Sequence, residues 1–127
     1  MMQNEKERLI DLFTSSSRWC QQVEARDATG APVCYHDTRA TSWDLVGGMC
    51  RLFGWERAQR LFPHVGRNVA GLKRPRADFR DHQMAAMSAL LDFNDEGHTT
   101  HSLIMARLHE MPVYYRDPLR SAQAPES

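Results

Sequence analysis

Leu45, Val46, Met49, Cys50, Leu52 and Phe53 repeat at the spacing of one helical face, yet Gly47 and Gly48 stand in the middle of that stripe. Each glycine costs a helix about 1 kcal/mol relative to alanine. A helix here is therefore worth forming only if its bare backbone packs closely against something else. The pattern predicts a helix from Trp43 to Phe53 at the centre of the fold, closed by Gly54, which can take the left-handed conformation. Thr41 and Asp44 stand before it at capping-box spacing. The glycine pair reads first as a tight packing point. A ligand lying on bare backbone is the sharper alternative, and it makes Trp43, Gly47 and Gly48 candidate binding residues.

The flanking segments supply partners for that helix. Leu9, Leu12 and Phe13, with Ile10 beside them, predict an opening helix over residues 3–14, ended by the hydroxyl run Thr14 to Ser17. Trp19 to Arg26, the Asp27-Ala28-Thr29-Gly30 turn and Pro32 to His36 predict a small β-hairpin. Such a ribbon is marginal in water and has to pack on helices. A short helix from Trp55 to Phe62 is expected to stop at Pro63, with a loop over residues 64–76 after it. Asp78 is expected to cap a helix running to Leu91, with Met84, Met87, Leu90 and Leu91 inward. Phe93 to His98 reads as a turn-rich connection. Thr99 or Thr100 then caps a last helix buried by Leu103, Ile104, Leu108 and Met111. The expected fold is mainly α, with about five helices in one compact domain over residues 1–111 and a small β-hairpin. Pro112, Pro118 and Pro125 mark residues 112–127 as an irregular tail.

Charge narrows the partners. Sixteen Lys and Arg balance sixteen Asp and Glu across 127 residues, so the basic excess that drives nucleic-acid affinity is missing. No stretch approaches the roughly 20 apolar residues of a membrane span, and the first residues lack an apolar signal core. Cys20, Cys34 and Cys50 are odd in number and fit no framework of paired bridges. A reducing compartment, the cytoplasm, is the expectation.

Several constellations approach a known chemistry and fall short of it. Gly66 to Lys73 resembles a phosphate loop, but Leu72 separates Gly71 from Lys73 and no Ser or Thr follows. Arg67, Lys73, Arg74, Arg76 and Arg80 form a basic cluster able to hold an anion, yet Asp78 and Asp81 sit within it and no aromatic series supplies a stacking platform. Cys20, Cys34, His36 and Cys50 are zinc-type residues without the tight pairs of a structural site. Cys50, His64 and Asn94 occur in the order of a cysteine-nucleophile set, which says nothing of proximity. The most suggestive stretch is Asn94-Asp95-Glu96-Gly97-His98-Thr99-Thr100-His101. Asp95, His98 and His101 could converge on a divalent metal. The same residues also serve as a turn, caps and complements to a helix dipole.

Trp19-Cys20-Gln21-Gln22, the turn Ala25-Arg26-Asp27-Ala28-Thr29-Gly30, Ser42-Trp43-Asp44-Leu45-Val46-Gly47-Gly48, and Phe93-Asn94-Asp95 followed by Thr99 resemble an uncharacterised family of small bacterial and phage-associated proteins, a domain of unknown function. In that family a Trp-containing segment precedes a Gly/Ala-rich helix, which often starts with a Trp-Cys-Leu or similar run. An Asn-Asp turn and a capping Thr open its last helix. This chain has Asp44 where members often carry Cys, so any chemistry of that Cys would be absent. The resemblance implies no activity, cofactor or catalytic residue. It implies only that the Gly-Gly helix and the Asn-Asp turn belong to one fold.

The functional expectation is a small non-catalytic binding or accessory protein without a cofactor. Trp43, Gly47, Gly48, Asn94, Asp95 and His98 are its candidate contact residues, and self-association or another protein its partner. Trp19, Trp55, Tyr114 and Tyr115 are further aromatic candidates. The alternative is a metal-dependent hydrolase using Asp95, His98 and His101 to activate water.

Overall fold

The computed structural model describes residues 3–73 and 79–114. Among them are five α-helices and one two-stranded antiparallel sheet. Helix α1 (Glu5–Phe13) starts with a full capping box: Asn4 Oδ1 accepts from the Glu7 amide at 2.8 Å, and Glu7 Oε1 accepts from the Asn4 amide at 3.0 Å. It buries Leu9 and Phe13, as its periodicity predicts. After a short 3₁₀ turn (Ser16–Arg18) come strands β1 (Ala25–Asp27) and β2 (Ala40–Trp43). Then follow α2 (Leu45–Phe53), α3 (Trp55–Val69), α4 (Phe79–Asp95) and α5 (His101–Glu110).

The mainly helical, compact architecture is the expected one, with different details. The strand pairing is non-local: β1 pairs with β2, Ala25 opposite Trp43 and Arg26 opposite Ser42, with an irregularity before Asp27 opposite Ala40. The predicted partner, residues 32–36, makes only a bridge between Pro32 and Arg26. Asp27 Oδ1 instead closes the intervening turn by accepting from the Thr29 and Ala31 amides. Trp43 consequently ends a strand rather than opening a helix, and Asp44 itself is the cap of α2.

Pro63 does not stop α3, which continues to Val69. The proline forfeits one main-chain hydrogen bond, but Leu61, Phe62, Val65 and Val69 form one buried stripe along the helix. Each fully buried apolar side chain contributes about 1.5–3 kcal/mol, which outweighs the break. The stretch from Gly66 to Val69 is thus helical and no phosphate loop. Gly66 lets α3 lie against Ala86 of α4, where an added Cβ would meet the Ala86 Cβ at 3.4 Å. Helix α4 runs to Asp95, past the expected end at Leu91. Thr100 caps α5 through the Leu103 amide at 3.1 Å. The expected cap at Asp78, together with Arg74, Arg76 and Tyr115 to Ser127, lies outside the described residues.

The core gathers Phe13, Leu45, Met49, Phe62, Leu90, Ile104 and Leu108 from all five helices. Just after α5, Met111 is buried, and the Pro112 carbonyl accepts a 2.6 Å hydrogen bond from His64 Nε2.

Candidate functional site

Asn94 lies at the last turn of α4 and is 0% exposed. Its side-chain oxygen accepts from the Trp19 indole N–H at 2.7 Å and from the Leu45 amide, the first of α2, at 3.0 Å. Its amide nitrogen donates to the Cys20 carbonyl and to Asp95 Oδ1, both at 3.0 Å. Both lone pairs and both protons are therefore used. Gln21 Nε2 donates to the Asn94 carbonyl at 2.9 Å, and Asp95 Oδ1 also accepts from the Gln22 amide at 2.8 Å. Gln22 is held there at φ 79°, the left-handed region that side chains other than glycine rarely occupy. One buried amide thus ties the end of α4 to the start of α2 and to residues 19–22.

The glycine pair completes this knot. A Cβ on Gly47 would collide with the Glu24 main-chain carbonyl, and one on Gly48 would lie 2.5 Å from the Phe13 ring. The bare face of α2 is filled by the chain entering β1 and by α1, so the packing-point reading accounts for both glycines. No ligand has room there.

Beside them Asp44 is 2% exposed and its Oδ1 accepts from the Gly47 amide at 2.6 Å. Burial pushes its carboxyl up to about 7; the Gly47 hydrogen bond opposes this, and the Asp95 and Glu24 charges add to the rise. The same burial, with Glu24 and Asp44 nearby, pushes the Cys50 thiol up to about 12. Cys20 is also raised, chiefly by burial, and its thiol points to the Val23 carbonyl at 3.7 Å. Neither buried thiol presents a thiolate at neutral pH, which a nucleophile requires.

The sequence-selected residues therefore divide. Gly47, Gly48, Asn94 and Asp95 come together, joined by Trp43, whose carbonyl accepts from the Cys20 amide and whose indole donates to the Tyr35 carbonyl at 3.0 Å. They converge as a hydrogen-bonded interior. His98 stands apart, exposed, with Glu96 3.6 Å away. His101 Nε2 donates to the Phe13 carbonyl at 2.6 Å. Asp95, His98 and His101 thus serve three different partners, and no metal-binding set of three His, Cys, Asp or Glu forms among the described residues. Cys50, His64 and Asn94 are likewise committed separately. Of the cationic set, Arg67 and Lys73 are exposed, and the side chain of Arg80 lies outside the described residues, as do Arg74 and Arg76.

A different place presents itself to solvent. At the corner where α2 turns into α3, Phe53, Gly54, Trp55, Glu56, Arg57 and Arg60 line an open groove of about 460 Å³. Trp55 is 44% exposed, the large apolar residue left at the surface among the described residues. Its ring meets Phe62 edge-on at 6.0 Å. Arg8 covers Phe53 at 5.0 Å and donates to the Leu52 carbonyl. Arg57 forms a bidentate pair with Glu5 at 2.6 and 2.8 Å and lies over the Tyr114 ring at 5.5 Å. Arg60 is exposed and pairs with no carboxylate among the described residues. The walls are thus braced from behind while the outer face stays open.

Sequence reasoning singled out Trp55 but missed Arg57 and Arg60. Their three-residue spacing along one face of α3 was the available signal. A second groove of about 220 Å³ between α1 and α2, lined by Gln3, Arg8, Asp11, Leu12, Arg18 and Leu52, has no aromatic ring. No family model, no curated protein and no solved structure matches this chain.

Proposed function

We propose that this chain is a non-catalytic binding protein whose contact surface is the corner formed by Phe53, Trp55, Arg57 and Arg60. The observation that carries the reading is a contrast between interior and surface. Asn94 and Asp95 are consumed in an interior knot, whereas Trp55 sits exposed on a groove braced by Arg8, Glu5 and Phe62. Tryptophan and arginine are the residues most enriched where binding energy concentrates. A surface already rigid loses little entropy on docking.

Display of random peptides on phage, selected on the full chain and counter-selected on Trp55→Ala, tests this directly. Trp55-dependent peptides are expected, with circular dichroism showing that the variant is folded. Failure to recover any would reject the surface as a binding site. A second copy of the chain is the competing occupant. Light scattering that finds a dimer abolished by Trp55→Ala would assign the corner to self-association.

A cytoplasmic setting belongs to the same proposal, supported by the exposed, unbridged Cys34 and the buried thiols Cys20 and Cys50. Kinship with the small bacterial and phage-associated family is proposed on the four resembling segments. Its support is that three of the four meet in one place, since Asn94 and Asp95 bond Trp19, Cys20, Gln22 and Leu45.

A further inference from the structure

The balanced charge of the whole chain conceals an uneven distribution. Helices α2 and α3 together carry Arg51, Arg57, Arg60 and Arg67 against a single acidic residue, Glu56. By contrast, residues 19–44 carry Glu24, Asp27, Asp37 and Asp44 against Arg26 and Arg39. Of the charged residues that line the groove, Arg57 and Arg60 outnumber Glu56. Arg57 has its guanidinium engaged by Glu5 on one edge, and Arg60 has no counter-ion among the described residues. An exposed arginine beside an aromatic ring suits a carboxylate, which the planar fork can grip through two hydrogen bonds.

Resting on the binding reading above, we infer that the occupant of this corner is an acidic segment of a partner protein. One apolar side chain of that segment lies in the groove against Trp55 and Phe53. Carboxylates on either side of it meet Arg60 and the outer edge of Arg57. The size of the groove supports this, because about 460 Å³ accommodates one large side chain and its flanking backbone. Single-stranded nucleic acid fits worse. It needs successive stacking rings along a basic track, and here one exposed ring stands next to Glu56. A lipid surface fits worse too, since anionic membranes are held by clusters of several Lys and Arg beside inserted apolar residues.

Fluorescence anisotropy of the full chain with three labelled peptides tests the inference. Each peptide has one central Leu, flanked by Glu, by Gln or by Lys. The Glu peptide is expected to bind at least ~10-fold more tightly than the Gln peptide, with affinity falling as salt screens the pairing. The Lys peptide should not bind. Trp55→Ala should weaken the Glu peptide by ~10-fold or more, and Arg60→Glu should turn the preference toward the Lys peptide. Both positions are exposed, and circular dichroism checks that each variant is folded. Equal affinity for the three peptides, or an undiminished Glu preference in Arg60→Glu, would overturn the inference. Binding of a single-stranded oligonucleotide through Trp55 in preference to every peptide would overturn it as well. The two readings fail differently: Trp55-dependent display peptides without acidic enrichment sink the inference alone, whereas the absence of any Trp55-dependent peptide sinks both.

Discussion

With both lone pairs and both protons engaged, Asn94 cannot be shortened without orphaning its partners. The Trp19 indole, the Leu45 amide and the Cys20 carbonyl would each lose a bond inside the protein. An unsatisfied buried group costs about 1–3 kcal/mol. Asn94→Ala is therefore expected to lower the unfolding free energy by about 3–5 kcal/mol, read by urea denaturation. A loss below about 1 kcal/mol would mean that the knot is not structural.

Asp44 gives a pH signature at the same scale. Its folded carboxyl is raised from 3.8 to about 7, so between those values the folded state holds a proton that the unfolded chain has released. Stability from this group is complete below 3.8, is lost as pH rises toward about 7, and is flat above. At about 1.4 kcal/mol per pH unit, the interval amounts to on the order of 4 kcal/mol. Asn at this position keeps an acceptor for the Gly47 amide and cannot ionise. Asp44→Asn should therefore be more stable than the parent at pH 8, with the advantage shrinking as pH falls to 5. His64 runs the other way. Burial lowers its basicity, so its contribution is complete above 6.5 and is lost as pH falls through its folded value. It is present in both proteins and cancels in their difference. A difference that does not change with pH would contradict the assignment.

The glycines of helix α2 let other parts of the chain approach its backbone. Gly47 faces a main-chain carbonyl, which cannot swing aside, while Gly48 faces the Phe13 ring and the Leu12 side chain, which can shift. Gly47→Ala is expected to destabilise more than Gly48→Ala, each by more than about 2 kcal/mol, despite the better helix propensity of alanine. Gly97→Ala, with open space around it, should be nearly neutral. Thermal denaturation ranks the three, and a neutral Gly47→Ala would remove the packing argument.

This helix was legible in the sequence because its signals are local: an apolar stripe, a cap before it and a glycine after it. So were α1 and α5, for the same reason. What could not be read locally was which strand pairs with β1, since Ala40 to Trp43 returns across a long loop. Nor could the length of α3 be read, because Pro63 argues for a stop and only tertiary burial of Val65 and Val69 overrides it. The candidate residues show the same divide. Gly47, Gly48, Asn94 and Asp95 stand out as residue types, but their job depends on Trp19 and Gln22, more than seventy positions from Asn94 and Asp95.

Across the whole molecule, the two places where aromatic and polar side chains gather play opposite parts. One lies inside and holds α2, α4 and the entry to the sheet together. The other lies outside, where Trp55, packed edge-on against Phe62, stands beside the exposed Arg60. Each has its own indole proton, Trp19 in the interior and Trp55 on the groove, so one spectrum separates them. A ¹⁵N–¹H titration of the full chain with the Glu-flanked peptide is the direct test. Movement of the Trp55 indole signal and of the amides of residues 53–60 is expected, while the Trp19 indole and the Asn94 side-chain amide stay in place. Movement at Trp19 and Asn94 with Trp55 unmoved would contradict it.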